Sequence, residues 1–377
     1  MILNDVCEFI VDCPHSTAKD EGAGYPLIRT PNVGRGRLLL DDVHRVSEAV
    51  YQIRNLRATP QDDDLIMARE APAGNVAIIK NGEKVCLGQR TVLIRPDKAK
   101  VCPDFLVYYL LAPQQQYSLL GTANGATVAH VNIPVIKNLP VSMPPLDVQR
   151  KVAGILSAYD SLIETNQRQI KLLEEAAQRL YREWFVDLRF PGYEDVPVAD
   201  GVPEGWKKGI LEEIAQFRRG QMITKAQVHD GNVPVVAGGL EPSCYHDKAN
   251  TVAPVITVSG SGANAGFTRL YNVDVFASDC SYVDRETTPY LYFVYCHLRE
   301  NRSLLDSLQK GSAQPHVYAK DLNALSLIIP SIPMLQAFCC HAKPCFERIG
   351  VLQQEISLSS QARDRLLPKL MSGEIEV

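Results

Sequence analysis

Polar and basic side chains suited to hydrogen bonding with nucleic acid occur in two sets along the chain, most of them within segments that predict loops. Arginine can bind guanine through two hydrogen bonds, and asparagine or glutamine can bind adenine in the same way. The first set is His15, Ser16, Thr17, Arg29, Thr30, Asn32, Arg69, Gln89, Arg90 and His130. The second set is Arg218, Arg219, Lys225, Ser259, Ser261, Asn264, Gln314, His316 and Lys320. Each residue taken singly is also typical of a solvated loop, and that interpretation stays open beside the DNA-binding one.

Motifs that would indicate a reaction or a bound cofactor are missing. The sequence contains no G-x-x-x-x-G-K-[ST], G-x-S-x-G or H-E-x-x-H pattern. Residues 260–266 have the spacing G-x-G-x-x-x-G and lead into a predicted strand, which favours a turn over a dinucleotide site. Cys339, Cys340 and Cys345 fall in a predicted helix without a C-x-x-C pattern, which favours buried thiols over a metal site. We therefore expect no catalytic residues, no metal and no cofactor in this chain.

Composition is that of a globular protein with two or three domains. The chain has 377 residues, 46% of them hydrophobic and 22% charged, and its formal net charge is −4. No apolar run reaches the ~18–20 residues that span a bilayer, and the start does not resemble a signal peptide. We expect a cytoplasmic protein, and any binding of DNA must come from local patches or from another subunit.

An internal repeat is the most informative feature of the sequence. Residues 2–9 match residues 210–217 at an offset of 208, and the offset then falls to 186. At that offset His130 corresponds to His316, although a repeated packing contact would explain this pair as well as a shared function. The chain is therefore predicted to be a duplicated domain pair, with a second copy about 22 residues shorter (208 − 186).

Each copy begins with an α+β module. Runs rich in β-branched residues predict strands over 25–30, 64–68, 76–79 and 91–94, and over 233–237, 254–259, 265–270 and 273–277. A short helix follows in each copy, over 103–112 and 289–298, with proline in its first turn. Between the copies, residues 190–206 predict an extended linker.

Each copy ends in a long helix with a 3.5-residue apolar repeat, which is typical of a coiled coil. We expect the two helices to pair antiparallel. Asn166, the polar residue of the first seam, either frays into solvent or fixes the register of the pair. The predicted helix-pair interface consists of Leu156, Tyr159, Ile163, Asn166, Ile170, Leu173, Leu180, Ile349, Leu352, Ile356 and Leu366.

The chain resembles the specificity subunit of type I restriction–modification systems. Residues 125–149 (GATVAHVNIPVIKNLPVSMPPLDVQ), running into a long charged helix, carry the resemblance, and residues 311–336 with 366–373 (LLPKLMSG) repeat it. Residues 12–17 (DCPHST), 27–32 (LIRTPN) and 203–206 (PEGW) are also similar to segments of the family. The likeness covers the whole chain and is weakest in the α+β modules.

The resemblance implies an α+β fold with an internal pseudo-twofold repeat, in which two similar target recognition domains are separated by an antiparallel pair of coiled-coil helices. The expected boundaries are 1–145 and 207–332 for the recognition domains, 146–190 and 333–377 for the long helices, and 191–206 for the linker.

The resemblance also implies function and partners. The chain would be a non-catalytic subunit that reads a bipartite site in double-stranded DNA. Two modification subunits, which bind S-adenosylmethionine and methylate adenine, would dock on the helices, and a motor-nuclease subunit could join them. The alternative is a two-headed scaffold without DNA specificity, which would lack salt-dependent DNA binding.

Overall fold

A computed structural model describes residues 1–121, 130–308 and 315–377 and divides the chain into two compact units. Unit 1 comprises Met1–Glu164 and Ser357–Val377, and unit 2 comprises Thr165–Ile356. Both long helices cross from one unit to the other, so each unit contains part of each helix.

Unit 1 contains a five-stranded sheet and a smaller three-stranded sheet. Its strands are β1 (Cys7–Asp12), β2 (Tyr25–Ile28), β3 (Gly36–Arg37), β4 (Arg45–Val46), β5 (Leu65–Ala68), β6 (Val76–Ile78), β7 (Cys86–Leu87) and β8 (Thr91–Pro96). The larger sheet has the order β1-β8-β5-β6-β3, and the smaller has the order β4-β2-β7. Strand β5 is buried at all four positions, because it lies at the centre of the larger sheet.

The helices of unit 1 are α1 (Glu48–Arg54), α2 (Pro103–Leu111), α3 (Pro113–Leu120), α4 (Ile133–Lys137) and the first part of α5 (Leu146–Tyr181). Helix α2 packs its buried residues, including Phe105 and Tyr108, into one apolar core with the sheet and with Leu156 of α5. Leu367 and Leu370 belong to the same core.

Unit 2 repeats this sheet arrangement. Its strands are β9 (Val198–Ala199), β10 (Val202–Pro203), β11 (Lys207–Ile210), β12 (Arg218–Arg219), β13 (Val233–Val236), β14 (Cys244–His246), β15 (Val255–Ser259), β16 (Thr268–Tyr271), β17 (Phe276–Ala277), β18 (Cys280–Asp284) and β19 (Ser326–Ile329). The order β12-β18-β15-β16 matches β1-β8-β5-β6, and β14-β13-β17 matches β4-β2-β7. In both small sheets one pairing is antiparallel and the other parallel.

The helices of unit 2 are α6 (Leu291–Glu300), α7 (Arg302–Ser307), α8 (Ala319–Asn323) and the longer part of α9 (Ile332–Ser372), with the end of α5 and a π-helical turn over Arg182–Val186. Within this unit Asn166 contacts Glu355, and the ring of Trp184 lies 6.0 Å from that of Phe338. Residue numbers therefore rise along α5 as they fall along α9, so the two helices run antiparallel.

Equivalent hydrogen bonds confirm the internal repeat. The amide of Ile2 donates to Asp5 in unit 1, and the amide of Ile210 donates to Glu213 in unit 2. One residue later, Leu3 donates to the carbonyl of Leu139 and Leu211 to that of Leu325, both at 2.9 Å. Each copy thus ties its beginning to the segment that precedes its long helix.

The helix-pair residues predicted from the sequence are all at least partly buried. Leu156, Asn166, Ile349 and Leu352 are buried, and the other seven are partly buried. Asn166 is 3% exposed, and its Nδ2 donates to Glu355 Oε2 at 3.0 Å. A frayed, solvated Asn166 is therefore wrong for this structure.

Several local predictions differ from the structure. The strands that were not predicted are β1, β3, β4, β7, β9, β10, β11, β12, β14, β18 and β19. The strand predicted over 273–277 is confined to Phe276–Ala277. The helix predicted over 289–298 begins at Leu291 with Tyr290 as its N-cap, so Pro289 lies before the helix and not in its first turn. The segment 190–206 is not extended. The rings of Phe190 and Trp206 pack with their centroids 4.8 Å apart, and the chain between them forms a 3-10 turn and the β9–β10 hairpin.

Candidate nucleic-acid interface

Strand pairing in unit 1 gathers charged residues at one edge of the large sheet. Strands β1 and β5 are both antiparallel to β8, with Asp12 opposite Val92 and Ala68 opposite Thr91. The ends of β1 and β5 therefore meet the start of β8. This register places Asp12, Arg69 and Arg90 together, and Arg69 donates its amide hydrogen to the Arg90 carbonyl at 2.8 Å.

Arg69 is the buried centre of this cluster. It is 8% exposed, and its guanidinium donates to the Val131 carbonyl at 2.9 Å, to Asp12 at 3.0 Å and to His130 Nε2 at 2.8 Å. Since arginine only donates, His130 Nε2 must accept, and the imidazole hydrogen lies on Nδ1. That nitrogen donates to Glu70 Oε1 at 2.5 Å. Arg69 therefore links the end of strand β1, through Asp12, to His130 and Val131 at this edge of the sheet.

Two exposed side chains with hydrogen-bond donors, those of Arg90 and His15, project from this framework. Arg90 forms an ion pair with Glu70, and its side chain is 63% exposed. His15 Nε2 lies 3.1 Å from Asp12 Oδ2, and its side chain is 69% exposed. Arg90 also has a backbone φ of 64°, a left-handed conformation that costs energy for a residue with a side chain. The half-buried carboxylates of Asp12 and Glu70 thus hold two exposed groups that can contact a polyanion.

The remaining predicted residues of unit 1 divide between surface and framework. Ser16 and Thr17 are exposed, and Gln89 is half-buried and donates to the His15 carbonyl at 3.1 Å. Asn32 is buried, where it accepts from the Arg29 amide at 3.2 Å and donates to the Leu39 carbonyl at 3.2 Å. Arg29 and Thr30 are half-buried at this turn.

The matching edge of unit 2 carries a different set of side chains. Ser259 is buried and donates to the Gly238 carbonyl at 3.0 Å, whereas half-buried Ser261 donates to Asp279. The half-buried His316 stacks on Tyr318 with ring centroids 5.8 Å apart. Lys320 is exposed and its Nζ lies 5.8 Å from the same Tyr318 ring.

Other predicted residues of unit 2 lie at the surface. Arg218 and Arg219 form the exposed strand β12, and Lys225 is exposed in a short 3-10 helix. Asn264 is half-buried. Gln314 lies outside the described residues.

The two matching histidines share a backbone contact. The amide of Val131, next to His130, donates to the carbonyl of Arg69 at 3.0 Å. The amide of Val317, next to His316, donates to the carbonyl of Gly260 at 3.1 Å. Arg69 and Gly260 each follow the central strand of their sheet, and both valines are buried. The repeated position is thus a packing contact that also brings each histidine to the edge.

Several polar residues of this region were not predicted from the sequence. Glu70 joins Arg90 to His130, while Arg54 and Arg57 donate to carbonyl groups of the segment 12–16. Their only signal in the sequence is a charged side chain outside the predicted strands and helices, which many surface residues share. Asp12 does occur in the DCPHST segment, but its pairing with Arg69 depends on the sheet register.

The described residues carry neither a metal site nor a membrane-spanning helix. Within 1–121, 130–308 and 315–377, no group of histidine, cysteine and acidic side chains could hold a metal ion. No helix of the described chain is long and apolar enough to cross a membrane. The cysteines of this part of the chain are free thiols.

Comparison with known proteins gives consistent results. Residues 1–175 and 203–337 match the family model described as type I restriction modification DNA specificity domain. The chain is 27% identical to the type I restriction enzyme MjaIX specificity subunit of Methanocaldococcus jannaschii, over 97% of this chain and 87% of the relative. It is 23% identical to the HindI specificity subunit of Haemophilus influenzae, over 93% and 95% of the two chains.

A solved structure shares the fold. The type I restriction–modification S subunit from M. genitalium superposes with a TM-score of 0.58 at 15% identity, covering 98% of this chain and 95% of that one.

Proposed function

Because the chain belongs to the type I restriction–modification DNA specificity family, we propose that each of its two sheet domains reads one half of a split DNA site. Membership confirms the resemblance seen in the sequence, and it makes the chain a non-catalytic specificity subunit. The observation that supports two readers is the same strand order in both units. We retain 1–145 and 207–332 as the recognition domains, with 191–206 between the long-helix segments 146–190 and 333–377.

Exposure separates the side chains that could reach DNA from those that support them. In the first domain the exposed side chains at this edge are His15, Ser16, Thr17 and Arg90. Arg69 and Asn32 are buried and hold the neighbouring segments in place. In the second domain the exposed candidates are Arg218, Arg219, Lys225 and Lys320, and Ser259 is framework. The domains differ at equivalent positions, as two readers of different half-sites should.

Partners follow from the family role. The chain assembles into a type I restriction–modification complex that binds double-stranded DNA, and two modification subunits dock on the long helices. A modification subunit binds S-adenosylmethionine and transfers its methyl group to adenine, whereas this chain holds no methyl donor. A motor-nuclease subunit completes a restriction complex where one is present. With a net charge of −4, the chain relies on local cationic groups and on its partners for the attraction to DNA.

Methylome sequencing tests the proposal directly. A host that lacks other methyltransferases would express the chain with its modification subunits, and every methylated adenine would be mapped. We expect a single bipartite motif with an unspecified spacer. An undivided motif would contradict the two-reader arrangement, and methylation without sequence preference would favour the scaffold alternative.

A further inference from the structure

The carbonyl groups of the segment 12–16 are all occupied by side-chain donors. Arg57 Nη1 donates to the carbonyls of Asp12 and Cys13, both at 3.2 Å. Gln89 Nε2 donates to that of His15 at 3.1 Å. Arg54 donates to those of Pro14 at 3.5 Å and Ser16 at 3.1 Å. Each of these five successive carbonyls thus already accepts a hydrogen bond from a side chain of the protein.

Arg54 holds a positive charge beneath this segment. It is 5% exposed, and its Nε also donates to the Leu87 carbonyl at 2.6 Å. None of the partners that the structure describes for Arg54 is a carboxylate, and burial lowers the pKa of its guanidinium below the ordinary value. A buried charge without a counter-charge is costly, so its positive potential is available to an anion outside.

The outer side of the segment presents hydrogen-bond donors. His15, Ser16 and Thr17 are exposed, and their amide hydrogens have no acceptor within the described part of the chain. The Ser16 and Thr17 hydroxyls lie on the same short stretch. Arg57 is exposed and uses only Nη1 on the carbonyls, and its other nitrogens donate to no acceptor within the described part of the chain. The neighbouring Asp12 carboxylate is paired with Arg69 and His15.

We propose that the loop of residues 13–17, together with Arg57, binds a phosphodiester group of the DNA backbone. A base edge offers both donors and acceptors, whereas a phosphate only accepts. A loop whose acceptors are occupied and whose donors are free therefore matches the phosphate. Arg54 and Gln89 are positioning residues that hold the carbonyls away from the DNA. The inference rests on the proposed function and assigns this loop to backbone contact within it.

Salt-dependent binding of the full chain in complex with its modification subunits tests the assignment. Arg57→Gln should weaken binding about tenfold, the effect of losing one hydrogen bond to a charged group. The loss should be equal for cognate and unrelated duplexes, and the slope of log K against log salt should shrink by about 1. Thr17→Val should weaken both duplexes without altering the slope. As a matched control, Arg35→Gln removes another exposed arginine that donates to a carbonyl, and it should leave binding unchanged.

Arg54→Lys keeps the charge but cannot reach the Pro14, Ser16 and Leu87 carbonyls together. It should weaken both duplexes equally while the slope stays near that of the wild type. If this variant fails to fold, Arg57→Gln and Thr17→Val decide the matter.

Two results would overturn the inference. An unchanged salt slope in Arg57→Gln would mean that this guanidinium makes no phosphate contact. A loss confined to the cognate duplex would mean that the loop reads bases. If the wild-type complex itself bound all sequences equally, the proposed function would fail instead, so the two failures are distinguishable.

Discussion

Asp160 joins three elements of unit 1 through its two carboxylate oxygens. Tyr108 of α2 donates to Oδ2 at 2.5 Å, and Arg363 of α9 donates to Oδ1 at 2.5 Å. The side chain of Asp160 is 4% exposed and that of Arg363 is 18% exposed. Burial beside this carboxylate raises the pKa of Tyr108 above its ordinary value, so the phenol remains a donor. Asp160 therefore fixes α5 against both α2 and α9.

The Asp160→Asn substitution should destabilise unit 1 by about 3 kcal/mol. Removing one partner of a buried ion pair costs about 3–5 kcal/mol, because the other charge is left buried. The lower end applies because the asparagine oxygen still accepts and Arg363 keeps a 2.9 Å contact with Asp364. For a unit of this size, about 2–4 °C per kcal/mol gives a decrease in Tm of about 6–12 °C.

Thermal and urea unfolding of the full chain would measure this change. Asp364→Asn is the matched control, since that carboxylate is 63% exposed and should contribute less than about 1 kcal/mol. In a double-mutant cycle, Asp160→Asn should cost far less when Arg363 is already methionine. Equal effects of Asp160→Asn and Asp364→Asn would mean that the buried Asp160–Arg363 pair does not stabilise unit 1.

Three further results are expected. Burial lowers the pKa of His297 from 6.5 to about 4, so on acidification the unfolded chain takes up a proton before the folded chain does, and the stability of unit 2 should fall between pH 6.5 and about 4. Urea unfolding of His297→Phe should show a weaker dependence of stability on pH than the wild type, and an identical dependence would contradict this. Arg69→Lys should lower Tm with little change in the salt slope of DNA binding, since Arg69 is framework; a changed slope with unchanged Tm would make it a DNA contact. The chain without modification subunits should bind DNA weakly, and tight sequence-specific binding at physiological salt would oppose this.

The internal repeat and the long helices could be predicted, because each is visible as a local or periodic pattern of residue types in the sequence. On each long helix the predicted interface residues recur at a spacing of about 3.5 residues, which can be counted directly in the sequence. Strands such as β5 were predicted because their β-branched residues stand in a short run. Strand β1 was missed because its burial depends on pairing with β8, and its residues alternate irregularly around a bulge.

The roles of single polar residues were less predictable. Arg69 follows strand β5 and Arg90 lies in the turn before β8. Arg69 is buried, whereas the identical side chain of Arg90 is exposed. Only the register of β1, β8 and β5 decides which of them meets Asp12. Arg54 lies in a seven-residue helix that appeared in no predicted site, and its importance rests on carbonyls more than thirty residues away.

Exchange of the first recognition domain is the most direct test of two independent readers. Residues 1–145 would be replaced by the corresponding domain of another family member, and the methylome of a host expressing the hybrid with its modification subunits would be sequenced. If the two domains read DNA independently, one half of the methylated motif should change to that of the donor while the other half is retained. A hybrid that methylates DNA with both halves changed, or with neither changed, would contradict it.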